Sequence, residues 1–428
     1  MSPGCGRNGV RGPVAALCLA WLWAAGCGGD DGDGGGGGGG AWSGVAGRGA
    51  GSGSAGSRPT LSPGDASVAG QAGYGGSARG GSGGSGGGSG GSGTAGASAS
   101  AGTGGSGAMP TPAAIAGCED EPVDQLPEDL RCSGLYADLA RKQIAASARA
   151  FKPASELWSD GASKQRWIYL PPGTKIDNSD PDSWMFPIGT KLYKEFSWNG
   201  RRVETRIFWK EGERHWLKAA YHWSADESSA LRFDGGQVDV AGKAYFIPVA
   251  KDCDRCHKGR EEKTLGFEQV SLALPGAEGL TLQELTRAGL LTNPPSGSSF
   301  SLGDDGTGQA GPALRWLHVN CGVSCHNPNT AAEGYSSDLR LRLPAEAIDG
   351  RSPAEFESLR TTIGVASSTP EWRNRTRITK GSARNSLLYQ LASVRNNADP
   401  DNQMPPVASR VVDAEGIMLL DKWIAAMR

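Results

Sequence analysis

The chain has 428 residues, 67 of them glycine, and a formal net charge of −2, with Lys and Arg interleaved among Asp and Glu. Without a basic field there is no counterion release to drive binding, so nucleic acid is excluded as an expected partner. The glycines crowd into the first quarter, which cannot build a core. The remaining stretch of about 310 residues, from Cys118 onward, carries Trp, Leu, Ile and Val at a density that suits two domains.

Arg7 and Arg11 precede an apolar run from Pro13 to Gly26, too short to cross a bilayer but of the length of a signal-peptide core. Export is expected. The run ends in Ala24-Ala25-Gly26-Cys27, similar to a bacterial lipobox, with Ala24 where Leu is usual. Residues 1–27 are thus read as a lipoprotein-type signal peptide, Cys27 as the lipidated residue, and the chain as tethered to a membrane of the cell envelope. Ordinary cleavage that releases a soluble protein is the alternative. Residues 28–117, with the run Gly34 to Gly40 and the repeats from Gly80 to Gly93, are expected to be a disordered Gly/Ser-rich linker. A random coil of about eighty residues spans about 50 Å.

Cys118 and Cys132 flank a polar loop containing Pro122 and Pro127, and in an exported protein such a pair is expected to form a disulfide. Residues 118–250 are read as a Trp-rich β domain, because between Leu157 and Pro248 the apolar residues alternate more often than they repeat at helical spacing. Lys191 to Trp198 and Arg201 to Lys210 read as strands, joined at Asn199-Gly200, a hairpin signal because both central residues of a type I′ turn need positive φ. Further strands are expected at Gln165 to Leu170, His215 to Ser224, Ala230 to Phe233 and Lys243 to Val249. The sum suggests a sandwich or jelly roll. Seven tryptophans fall here (Trp158, Trp167, Trp184, Trp198, Trp209, Trp216 and Trp223), and they are read as core rather than as an aromatic platform for sugars.

Residues 251–311 open on Cys253-Asp254-Arg255-Cys256-His257. Two thiols that can reach the haem vinyl groups, followed at once by an imidazole that can ligate iron, make the C-x-x-C-H attachment motif of haem c. The candidates for the opposite axial position are His222, His215, His318 and Met185, with His222 placed first; the segment Leu280 to Leu291 is read as a short helix nearby. Residues 312–428 hold Cys321-Gly322-Val323-Ser324-Cys325-His326, with three residues between the thiols where the standard motif has two. Gly322 suits the bulge that an extra residue requires. Pro312 to Asn320 has a helical pattern, and His318 on it is read as a surface or packing residue. Met404-Pro405-Pro406 follows about eighty residues later, where a Met ligand to a second iron would stand. A last helix is expected from Asp413, its N-cap, to Met427, with Trp316 and Trp423 as candidates for a helix crossing.

The stretches SGLYADLA (Ser133 to Ala140), LWSDGASKQRWIYLPPGT (Leu157 to Thr174), FPIGTKLYKEF (Phe186 to Phe196), DCDRCHKG, VNCGVSCHNP and QMPP resemble a family of bacterial diheme c-type cytochromes. The resemblance implies a β-rich N-terminal half, a C-terminal cytochrome c-like domain and two c-type haems. It also implies electron transfer with an unnamed redox partner. The expected fold is therefore α+β and multidomain: a β-sandwich-like domain followed by a mainly α-helical one. The expected function is electron carriage rather than catalysis. The alternatives are a haem-dependent oxidoreductase with an open site, a carbohydrate-binding β module with structural haem, a four-cysteine zinc site made by Cys253, Cys256, Cys321 and Cys325, and two disulfides among those four.

Overall fold

The computed structural model describes residues 115, 117–119, 124–297, 299–396, 399 and 402–428. The signal peptide, Cys27 and nearly all of the linker expected at 28–117 lie outside the described residues. Eleven strands are present among them: β1 (Tyr136–Asp138), β2 (Gln143–Ile144), β3 (Arg149–Lys152), β4 (Ser163–Tyr169), β5 (Lys191–Trp198), β6 (Arg201–Lys210), β7 (Trp216–Trp223), β8 (Ala230–Phe233), β9 (Gly236–Val240), β10 (Lys243–Ile247) and β11 (Glu278–Gly279). The helices are α1 (Ala250–His257), α2 (Gln269–Ala273), α3 (Leu282–Arg287), α4 (Ala310–Leu317), α5 (Glu357–Arg360), α6 (Leu387–Ala392) and α7 (Ala414–Ala426).

Asn199 and Gly200 both have positive φ, 49° and 79°, so the β5–β6 turn twists with its strands. The seven-stranded sheet runs β11-β3-β4-β5-β6-β7-β8, with every neighbouring pair antiparallel. Side chains alternate between its faces. On one face Trp167, Tyr193, Ile207, Tyr221 and Trp223 pack under Leu126, Leu130, Leu135 and Tyr136. On the other, Ile168, Leu192 and Trp216 join one continuous core with Phe267, Leu285, Leu314, Leu420 and Trp423.

The fold is α+β. It differs from a sandwich because the layer over the second face is built of helices and loops, not of a second sheet. Period-two alternation shows that a strand has two faces without showing what covers them. The core also runs through the boundaries expected at 250 and 311, since residues from both sides of each contribute to it. Of the seven tryptophans, four are buried and Trp158, Trp198 and Trp209 are partly buried. Among the described residues no helix is long and apolar enough to cross a membrane.

Helix α7 starts as its sequence dictates: the Asp413 side chain accepts the Gly416 N–H at 3.0 Å and the Trp316 indole N–H at 2.7 Å, which fastens α4 to α7. Gly416 is required there, because a Cβ would lie 1.9 Å from Trp316 Nε1. Trp423 is fully buried, and its indole donates to Asp305 at 2.7 Å.

Candidate functional site

Helix α1 carries the first motif. Three-residue spacing puts Cys253 and Cys256 on one helix face, and Asp252 lies in the first turn, where an acidic side chain favours the helix dipole. The helix buries none of its side chains. It rests on the sheet through an ion pair between Lys218 and Asp254 and through the His257 ring, stacked on Phe208 with centroids 4.3 Å apart. Phe208 packs against the main core, so the His257 ring joins the helix to that core. A cavity of about 350 Å3 opens beside the helix, lined by Cys253, Phe208, Lys218, Phe233, Pro248 and Ala250 among others, within the size range of cofactor sites.

The His257 ring is held through Nδ1, which donates to the Lys263 carbonyl. That bond fixes the tautomer and leaves the Nε2 lone pair free for a metal. Burial, with the charge of Lys194 adding to it, holds the His257 pKa down at about 3, so the ring is neutral, as ligation requires.

The second motif follows α4 directly. The helix passes into a π-helical turn at His318–Gly322, with five-residue bonds from Val323 N–H to His318 O and from His326 N–H to Cys321 O, both 2.8 Å. A π turn accommodates one residue more than the α-helical ladder, and one residue is what C-x-x-x-C has in excess of C-x-x-C. Gly322 serves a different need from the backbone freedom expected of it. A Cβ there would stand 2.3 Å from the Arg342 nitrogen, so glycine permits close approach of two chain segments.

His326 is held as His257 is. Its Nδ1 lies 3.3 Å from Ser337 Oγ. The Ser337 hydroxyl donates to Gly334 O at 2.6 Å, so it accepts from the ring. Burial, reinforced by Arg377 and Arg340, lowers the His326 pKa to about 4. All four motif cysteines are free, so the two disulfides weighed among them do not form. Burial pushes Cys256 and Cys321 up to about 12 and raises Cys253 and Cys325. They are thiols, not reactive thiolates.

The two motifs touch. Gly259 lies against the second motif so tightly that a Cβ would be 2.0 Å from Ser324 O, and Arg255 Nε and Lys258 Nζ both reach Glu333 Oε1 at 3.1 Å. Among the described residues no three His, Cys, Asp or Glu side chains converge on a point that could hold a metal ion. The four-cysteine zinc alternative therefore lacks its cluster.

Met404, which precedes a cis peptide bond to Pro405, lies on a loop held near the second motif. Its N–H donates to Leu391 O at 2.9 Å, and its carbonyl accepts from Arg395 at 3.1 Å; the Arg395 charge acts on the Cys321 thiol. The loop's far end is fixed by Asp160, which sequence reasoning passed over, and by Trp158, which it read as core. Asp160 accepts from the amides of Arg410 (2.8 Å) and Val411 (3.1 Å) and from the Ser409 hydroxyl (3.1 Å). Trp158 donates its indole N–H to Val411 O at 2.8 Å and its backbone N–H to Asn320 at 2.7 Å. The signal was the W-S-D-G turn, in which Asp160 and Gly161 both have positive φ.

His222 pairs with Glu204 across β6–β7, whereas Phe208, which carries His257, pairs with Lys218. Four residues of strand separate the two positions, about 13 Å, and the structure does not bring His222 to His257. The His222 ring lies instead beside Phe233. His318 is buried rather than on the surface; its Nδ1 accepts from Leu343 N–H at 2.9 Å and its Nε2 donates to Glu268 at 3.2 Å, so neither nitrogen is free for iron. His215 is exposed and paired with Glu211. Met185 sits in an antiparallel bridge to Asp177. Cys118 and Cys132 are joined in a disulfide, Cα atoms 5.4 Å apart. No family model, curated protein or solved structure matches this chain.

Proposed function

We propose that the chain is a c-type cytochrome of the cell envelope that binds two haems, one through Cys253, Cys256 and His257 and the other through Cys321, Cys325 and His326, with Met404 as the second axial ligand of the latter. The observation that carries the reading is shared by both motifs. Each holds two free thiols ahead of a neutral imidazole whose Nδ1 is engaged by the protein. Haem at such a site supplies reversible exchange of one electron between Fe(II) and Fe(III). The chain contributes ring orientation, thiols for attachment and a partly apolar enclosure. Lipidation at Cys27 would hold this unit at a membrane, where it would exchange electrons with a redox protein.

A pyridine haemochrome assay combined with the intact mass of the full chain tests this. Two covalent haems per chain are expected. One haem would confine attachment to a single motif, and none would overturn the proposal.

A second reading follows from the first motif alone. The His222 ring lies beside Phe233, His318 has both nitrogens engaged and His215 is paired with Glu211, which suits a five-coordinate haem that binds small ligands. Carbon monoxide binding by one of the two haems would support that oxidoreductase reading, and a fully low-spin protein would remove it.

A further inference from the structure

The His326 ring rests against a loop, residues 334–341, that folds back over the second motif. Gly334 permits the close approach, since a Cβ there would lie 2.5 Å from His326 Nδ1. Backbone bonds close the loop on the motif, from Gly334 N–H to Cys325 O at 3.2 Å and from Leu341 N–H to His326 O at 2.8 Å. Between them stands Ser337, whose hydroxyl meets Nδ1. Apart from one short helical turn at Tyr335–Ser337 the loop has no regular structure, so its shape depends on what holds its carbonyls.

Two arginines hold them. Arg377 is 5 % exposed, and its guanidinium donates to Ser337 O, to Asp338 O at 3.2 Å and to Thr361 O at 2.7 Å. A planar fork can serve several carbonyls at once, which a single ammonium does less well. Arg340, partly buried, donates to Tyr335 O at 3.1 Å and to Leu339 O at 3.2 Å. Carbonyls satisfy the hydrogen bonds of these groups without cancelling their charge. Asp338, whose charge reaches Arg377, lies 3.6 Å from Arg340 with its side chain 78 % exposed. Among the described residues Arg377 has no carboxylate in salt-bridge range. Both cations act on the His326 ring, Arg377 more strongly than Arg340. The Arg377 segment also reaches the Met404 side: its carbonyl accepts from Leu388 N–H at 3.1 Å in α6, and Leu391 of the same helix accepts from Met404 N–H at 2.9 Å.

We infer that Arg377 is a positioning residue for the axial bond of His326: it fixes the Ser337 clamp on the ring and, with Arg340 beside it, sets buried positive charge behind the imidazole, which raises the potential of the iron held there. This rests on the haem reading above. Reduction of Fe(III) to Fe(II) takes one electron from the redox partner and lowers the charge of the site by one, so a fixed cation in a poorly solvated place favours the ferrous state.

The test uses the holoprotein with Arg377→Gln, Arg377→Lys and Arg340→Gln, and reads the midpoint potential of each haem. Haemochrome content is measured first; its absence from the unaltered chain sinks the haem reading and this inference with it. The haem of the second motif is identified as the one missing from the Cys321→Ala, Cys325→Ala double variant. In Arg377→Gln the potential of that haem is expected to fall while the other stays unchanged. Arg377→Lys keeps the charge without the fork, and the potential should return most of the way to its original value. Arg340→Gln, at the less buried position, gives the same readout in the same direction should Arg377→Gln fail to fold. An arginine that served as scaffold alone would lower stability in both Arg377 variants and move no potential. Potentials unchanged in every glutamine variant that retains both haems would therefore overturn the inference and leave the haem reading standing. So would a fall confined to the haem at Cys253 and Cys256.

Discussion

The carboxylate of Asp160 accepts the backbone N–H of Arg410 at 2.8 Å, across 250 positions of sequence. Together with the bonds from Ser409 and Val411, it ties the turn before β4 to the end of the loop that carries Met404. The strand domain thereby sets where the methionine stands relative to His326.

Replacing Asp160 with Ala removes a charge-assisted acceptor from several donors, a loss of about 2 kcal/mol. Chemical denaturation should report a lower midpoint. In the holoprotein the absorption due to Met–iron coordination should weaken, while haem content stays the same. An Asp160→Ala protein with full Met–iron absorption would show that the loop needs no such latch.

Met404→Ala should abolish that absorption altogether and lower the potential of one haem, since thioether ligation raises it. Redox titration and the ferric visible spectrum check this. An unchanged spectrum would remove Met404 from the iron.

Gly259→Ala places a methyl group 2.0 Å from the Ser324 carbonyl oxygen. Relieving that clash costs about 1–3 kcal/mol, or a fall in Tm of about 5 °C. Because the contact joins the two motifs, haem occupancy at both should fall together. A loss confined to Cys253 and Cys256 would mean that the motifs assemble independently.

Burial acts to raise the Glu268 pKa, but His318, the Ser271 side chain and Arg260 outweigh it and hold the carboxyl at about 2. An unfolded glutamate titrates near about 4.3. The stabilisation is therefore complete above that unfolded value and is lost as pH falls from about 4 toward about 2, amounting to about 3 kcal/mol. Glu268→Gln should lower stability at neutral pH and flatten the acid limb between those values. Denaturant melts across pH 2 to 7 would show whether the limb persists.

Much of the sheet was legible in the sequence. Lys191–Trp198, Arg201–Lys210 and Ala230–Phe233 begin and end where alternation places them, because the residues at their turns carry their own φ preference. Strands β3 and β11 were not legible. They are short, and Gly279 pairs with Phe151 across more than a hundred residues, a contact with no local signal. The motif cysteines and histidines showed themselves through spacing. Their supports, Lys263 and Ser337, did not, since a carbonyl or hydroxyl that anchors a ring has no sequence pattern of its own. The missing second sheet has the same origin: alternation in β4 to β7 is equally consistent with a helical cover.

The π turn at His318–Gly322 also bears on how the second motif moves and how it was built. The five-residue bonds hold one residue more than the α-helical ladder does, and a single-residue deletion can restore the ordinary ladder. Deleting Ser324 should therefore give C-x-x-C-H at the end of an uninterrupted helix and slow amide exchange at Cys321 to Cys325. The motif carries one residue more than an α-helical ladder would hold between its two thiols.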